Sequence, residues 1–259
     1  MMKTSKDASL QEPKKALILV LIGLLLPVPI CVAQVSSQGQ PITENAWHFK
    51  LTPSFYQTTN QANATDLNLR ANLEDHALWL GQYNEAGHFQ QTRFGYEYTL
   101  STNWGQVVPS LQTASGGFWG GSINAQWGKT TYLITGWGRT NLRSYHNLNF
   151  DPNDAITIGL GGWLSPAHQW SLWRTQDDRL QTGQRVTHVM WRYHLPNSQR
   201  LTVDAATKTG RSDLSSDVVK GNSLSVTWDW PKYFVRFAHD QKVNFSAEDQ
   251  KRISLGWHF

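Results

Sequence analysis

The stretch DDRLQTGQRVTH carries two adjacent carboxylates, Asp177 and Asp178, with His188 at its far end. An imidazole that accepts a proton near neutral pH, beside carboxylates that can orient it, is the equipment of general acid–base hydrolysis. A second stretch, NLNFDPND, offers Asp151, Asn153 and Asp154, with Tyr145 and His146 just upstream. Their oxygens suit a hard cation such as Ca²⁺, although the spacing is not that of an EF-hand loop. Asx-type turns around Pro152 use the same residue types. A third set is scattered along the chain: Asp66, Arg70, Arg93, Glu97, Arg192, Asp204, Asp229, Arg236 and Arg252. Gathered on one surface, it would make either a closed ion-pair network or the lining of a water-filled path. No Gly-x-Ser-x-Gly elbow, metal-spaced His pair or phosphate loop accompanies these residues, and nothing in the sequence calls for a cofactor.

The elements that must position them alternate with period two. In DLNLRANL, Leu67, Leu69, Ala71 and Leu73 share one face, and Asp66, Asn68, Arg70 and Asn72 share the other. RFGYEYTL, FWGGSINAQW and NSLSVTWDW repeat the rule. Fourteen strands are expected, at 47–57, 65–73, 76–83, 89–100, 104–113, 117–127, 130–139, 154–164, 169–177, 184–195, 200–208, 222–229, 233–240 and 251–259, with twelve as the alternative count. Most are near the roughly 9–11 residues that a tilted strand needs to cross a bilayer. The third set then falls on the polar faces, with Arg93 and Arg236 near mid-strand, where a constriction is expected.

The start of the chain reads differently. Lys14 and Lys15 lead into ALILVLIGLLLPVPICVA, a basic region, an apolar run and a small-residue cleavage site. Residues 1–33 are expected to be a secretory signal peptide cleaved after Ala33, residues 34–46 a short periplasmic segment, and residues 47–259 one domain. Cys31, the sole cysteine, lies in the leader, so no disulfide framework holds the mature chain. The net charge of +4 over 259 residues falls to about +2 without the leader, too little for a nucleic-acid footprint.

A secreted sandwich would also alternate. Three features favour a transmembrane barrel. Aromatic residues cluster near strand ends: Trp47, Trp79, Tyr83, Tyr98, Trp104, Trp127, Trp163, Trp230 and Trp257. Connections are short on one side (ED, STN, GKT, SPAH, PNSQ, PK) and longer and polar on the other. The last strand, ISLGWHF, keeps Ile253, Leu255, Trp257 and Phe259 on one apolar face.

On these features residues 45–259 resemble bacterial outer-membrane β-barrel proteins as a class. The resemblance implies an all-β antiparallel transmembrane barrel in the outer membrane of a Gram-negative bacterium, with the short turns in the periplasm. It also implies contact with outer-membrane lipid and lipopolysaccharide, passage by periplasmic chaperones, and a final strand whose Trp257 and Phe259 are read by the barrel-assembly machinery. Nucleic acid is not an expected partner. The expected role is non-enzymatic: a narrow pore for small hydrophilic solutes, or a structural envelope protein. The alternative is a lipid A-modifying hydrolase of the outer leaflet. DRLQTGQR resembles the Asp-Arg…Thr-x-Gly stretch of calcium-dependent lipid A deacylases, which act from the barrel's outer wall. In that family the stretch lies near the mature N-terminus and follows an Asn-Asp pair; here it is mid-chain and follows Gln176 and Asp177.

Overall fold

The computed structural model describes residues 46–147 and 151–259. The expected leader, Cys31 and nearly all of the 34–46 segment lie outside the described residues.

The described chain is almost entirely strand. The segments are β1 (His48–Thr58), β2 (Ala64–Leu73), β3 (His76–Glu85), β4 (Phe89–Tyr98), β5 (Leu100–Thr102), β6 (Gly105–Ala114), β7 (Phe118–Gly128) and β8 (Thr131–Thr140). There follow β9 (Ala155–Ser165), β10 (His168–Asp177), β11 (Arg185–Leu195), β12 (Gln199–Gly210), β13 (Val219–Asp229), β14 (Tyr233–Asp240) and β15 (Gln250–His258). A break at Thr99 separates β5 from β4, and both pair with β6. The fifteen segments are therefore fourteen staves, each antiparallel to its sequence neighbours.

The ring closes between β1 and β15. At that seam the Phe49 N–H donates to the Phe259 carbonyl at 2.7 Å, and the Phe259 N–H donates to the Phe49 carbonyl at 3.0 Å. The two rings stack with centroids 5.6 Å apart. Closure leaves no exposed sheet edge, as a hydrocarbon environment demands. No helix of the described residues is long and apolar enough to cross a membrane.

Register fixes which way each side chain points, because residues directly opposite one another share a face. The chain Lys50↔Arg70↔Trp79↔Gly95 runs along the inner face, as does Thr227↔Arg236↔Ser254↔Ser54. The outer face carries Phe55, Leu67, Leu69, Leu80, Phe94, Ile158, Leu172, Val189, Leu224, Phe237 and Ile253, all exposed. A barrel is thus inside out relative to a water-soluble fold, and its apolar face awaits lipid.

Three aromatics expected among the strand-end belt lie inside, one of them Trp163, opposite inward Gln169 and against the His194 ring. Trp79 is flanked by Leu78 and Leu80, which take the outer face, so alternation turns its indole inward. Tyr83 shares that parity and is buried. Gly95 stands opposite Trp79, and Gly256 opposite Phe234, where any side chain would collide with the ring. Of the expected belt, Trp127 and Trp257 do face outward, toward the turn end.

Candidate pore lumen

Alternation places Asp66, Arg70, Arg93, Glu97, Arg192, Asp204, Asp229, Arg236 and Arg252 at inward positions of β2, β4, β11, β12, β13, β14 and β15. A lumen cavity of about 300 Å³ is lined by five cations, Lys50, Arg70, Arg93, Arg236 and Arg252, and two carboxylates, Asp66 and Glu97. A recess of about 460 Å³ at the turn end shares Lys50 and Arg70 with it and adds His48, His258 and Phe259. The two spaces run from the short-turn mouth toward the long loops.

Both cavity carboxylates are engaged. Asp66 pairs with Arg93, and both are almost wholly buried. Glu97 pairs with Arg70 at 2.5 Å in a half-open setting. Among the described residues, Lys50 and Arg236 have no carboxylate within ion-pair distance: Arg236 donates from Nε to Thr227 Oγ1 at 2.9 Å, and both cations lie within 6 Å of the Phe234 ring. Arg192 donates to Gln169 Oε1 at 2.9 Å and, more weakly, to Thr202 Oγ1. Arg252 stands 5.9 Å from the Tyr56 ring.

The loop end is closed differently. Residues 144–147, in the β8–β9 connection, dip into the barrel. Gln91 Nε2 donates to the Ser144 carbonyl at 2.9 Å, the His146 N–H donates to Gln91 Oε1 at 2.9 Å, and Arg93 Nη1 donates to the His146 carbonyl at 3.2 Å. The His146 ring stacks on Tyr83 with centroids 3.5 Å apart and meets Tyr56 edge-on. Tyr145 stacks on Phe118 at 4.3 Å. Burial, reinforced by the positive charge of Arg93 and Arg252, drops the His146 imidazole to a pKa of about 3. Burial likewise pushes the Tyr145 hydroxyl up. Arg93, expected near a constriction, is therefore the anchor of the loop that narrows the lumen.

No protein family and no curated protein matches the sequence. Among solved structures, the chain is similar to the Acinetobacter baumannii outer membrane protein Omp33, at 10% identity over 82% of this chain and 98% of that one, with a TM-score of 0.54. It is also similar to a bacterial polysaccharide outer membrane secretin, at 9% identity over 84% and 99% of the two chains, with a TM-score of 0.53.

The chain folds as a bacterial outer-membrane β-barrel.

In such a barrel, lipid chemistry would need residues on the outer wall. Asp177 and His188 point inward instead. Asp177 accepts from the backbone N–H groups of Arg179, Leu180 and Thr182 and from the Thr182 hydroxyl, so it shapes its own loop. Asp178 forms a bidentate pair with Arg139 at 2.6 and 2.7 Å. His188 bridges Asp151 at 3.0 Å and Asp204 at 3.1 Å, with its ring flat on Trp173. Asp154 is buried against Thr140 and Arg179, and Asn153 borders the lumen cavity. The proposed cation ligands thus diverge, and no group of three or more His, Cys, Asp or Glu suited to a metal occurs among the described residues.

Four contributors lie outside the nine charged residues singled out from sequence. Lys50 follows the same alternation as Thr52, Ser54 and Tyr56, so parity alone could have found it. Lys208 and Asp240, paired at 2.5 Å and fully buried, sit at strand ends that read as loop boundaries. His146 carries no periodic signal at all.

Proposed function

We propose that the protein is a narrow pore in the outer membrane of a Gram-negative bacterium, passing small hydrophilic solutes and favouring anions. The observation that carries this reading is the lumen cavity, where five cations face two carboxylates that are both already paired. Lys50 and Arg236 are left to attract solute, and low-dielectric walls focus their field along the path. Fourteen staves exceed the eight that leave room only for side chains. The infolded β8–β9 loop then sets the narrowest passage, from the side of the long loops. On the same reading, periplasmic chaperones deliver the chain, and the barrel-assembly machinery engages β15 through Trp257 and Phe259 at the closing seam. The inward positions of Asp177 and His188 do not favour the hydrolase alternative.

The test is single-channel recording of the refolded protein across a salt gradient. The expected reversal potential is that of an anion-preferring channel, moving toward zero in Lys50→Ser with Arg236→Ser. Cation preference, or a closed barrel with no conductance, would overturn it.

A further inference from the structure

The outer wall has a charge distribution that the pore reading does not use. By cross-strand parity, five strand residues facing lipid are cationic: Arg139, Arg174, Arg185, Lys220 and Lys251. Among the described strands, no Asp or Glu takes an outward position. All five cations lie within a few residues of the long loops, and none lies at the turn end. They are also one-sided, on β8 to β15. At the same height β1 to β6 carry neutral groups, among them Gln57, Thr65, Gln90 and Thr113.

Arg139 is neutralised by Asp178. The other four are exposed and, among the described residues, have no carboxylate within ion-pair distance. Register arranges them. Arg185 stands opposite Thr209, and Thr209 opposite Lys220, so the two cations flank a hydroxyl across three adjacent strands. With strands roughly 4.8 Å apart, Arg185 and Lys220 are about 10 Å from each other at the backbone, within reach of one bridging group. Arg174 sits one step toward the membrane centre, donating from Nε to Thr187 Oγ1 at 3.0 Å, which leaves its terminal N–H groups available. Lys251 extends the arc beside His239. Below the arc the wall turns apolar at Leu172, Val189, Leu224, Phe237 and Ile253. Nearby rim carboxylates are engaged: Asp213 accepts from Ser215 and Ser216, and Glu248 accepts from Thr59 and Asn60. Asp217, exposed and three residues before Lys220, lies in the loop above.

Cations directly above an apolar wall match a molecule with anionic groups directly above acyl chains. We infer that the loop-end rim from β10 to β15 is a binding belt for the phosphate groups of outer-leaflet lipid, with Arg174, Arg185, Lys220 and Lys251 as its charges. The belt depends on the long loops facing outward and not on conduction.

The experiment is native mass spectrometry of the refolded full chain, offered bisphosphorylated lipid A or its dephosphorylated counterpart in neutral detergent. The expected preference for the phosphorylated form is about tenfold or more, given several cations at one interface. It should approach unity in Arg174→Gln, Arg185→Gln, Lys220→Gln and Lys251→Gln combined, and persist in the lumen variant Arg236→Gln. If the fourfold variant does not fold, the two pairs Arg174/Arg185 and Lys220/Lys251 are changed separately, each expected to lose part of the preference. Equal binding of both lipids by the unmodified protein would overturn the inference. So would displacement of the lipid by inorganic phosphate at matched concentration, or full preference in either pair of substitutions.

Discussion

Arg93 and Lys50 are both cations inside the barrel, and their surroundings differ in kind. Arg93 is 1% exposed, paired with Asp66 and bound to the carbonyl of an infolded loop. Lys50 borders both lumen spaces, opposite Arg70 and beside the Phe234 ring, with no carboxylate in ion-pair distance among the described residues. At the loop end the same pairing recurs in Lys208 with Asp240, and in His188 between Asp151 and Asp204. A charge sealed from water must be paired, because desolvation otherwise exceeds any gain. Toward the turn end, half-buried Lys50 and Arg236 line the lumen spaces with no carboxylate partner among the described residues. One barrel thus contains a closed structural region and an open attractive one.

The contrast can be broken most forcefully at Asp66. Asp66→Asn strands a buried guanidinium and is expected to lower the unfolding free energy in lipid vesicles by about 3–5 kcal/mol. Glu97→Gln removes the partner of a pair that is 29% and 30% exposed, and should cost no more than about 1 kcal/mol. Equal losses would mean that the two ends are equally dry.

The wall itself gives the next effect. Leu69 faces outward at mid-strand, so Leu69→Arg is expected to cost about 2–4 kcal/mol, while Asn68→Arg points into the cavity and costs far less. Matching penalties in the same vesicle assay would require a register shift of one residue.

Selectivity sharpens the comparison further. Removing the Arg93–Asp66 pair together, as Arg93→Gln with Asp66→Asn, should leave the reversal potential nearly unchanged. Lys50→Ser alone should reduce anion preference measurably. The opposite ranking would place the selective charges at the loop end.

The smallest effect is in pH. His146 titrates at about 3 when infolded, against an ordinary 6.5 when released. The released loop therefore binds a proton that the infolded loop does not, between those two values. The infolded state keeps its full advantage above pH 6.5 and loses it progressively as pH falls toward 3. Open probability in bilayer recordings should rise over that window and be flat in His146→Phe. A flat wild-type profile would show that the loop does not move.

Much of this was legible in the chain. Alternation in DLNLRANL or NSLSVTWDW assigns each side chain to lipid or lumen without reference to any neighbour, since a strand's period is a property of its own backbone. That is why fourteen strands, and the inward parity of Arg70, Arg192 or Asp229, follow from one-dimensional reading. Strand ends were less visible: VVKG, read as loop before a strand at 222–229, belongs to β13 from Val219 because Lys208 and Gly221 still pair there.

The sequence by itself determined the barrel and the two faces of its wall, because alternation and turn chemistry are local. Only the tertiary structure decided that residues 144–147 enter the lumen, that Arg93 joins Asp66 to the His146 carbonyl, and that Lys50 and Arg236 remain without carboxylates. Those arrangements depend on which staves close against each other and on where a nonperiodic loop finds partners for its backbone groups. No spacing along the chain encodes a contact such as Gln91 with Ser144 across the barrel's interior.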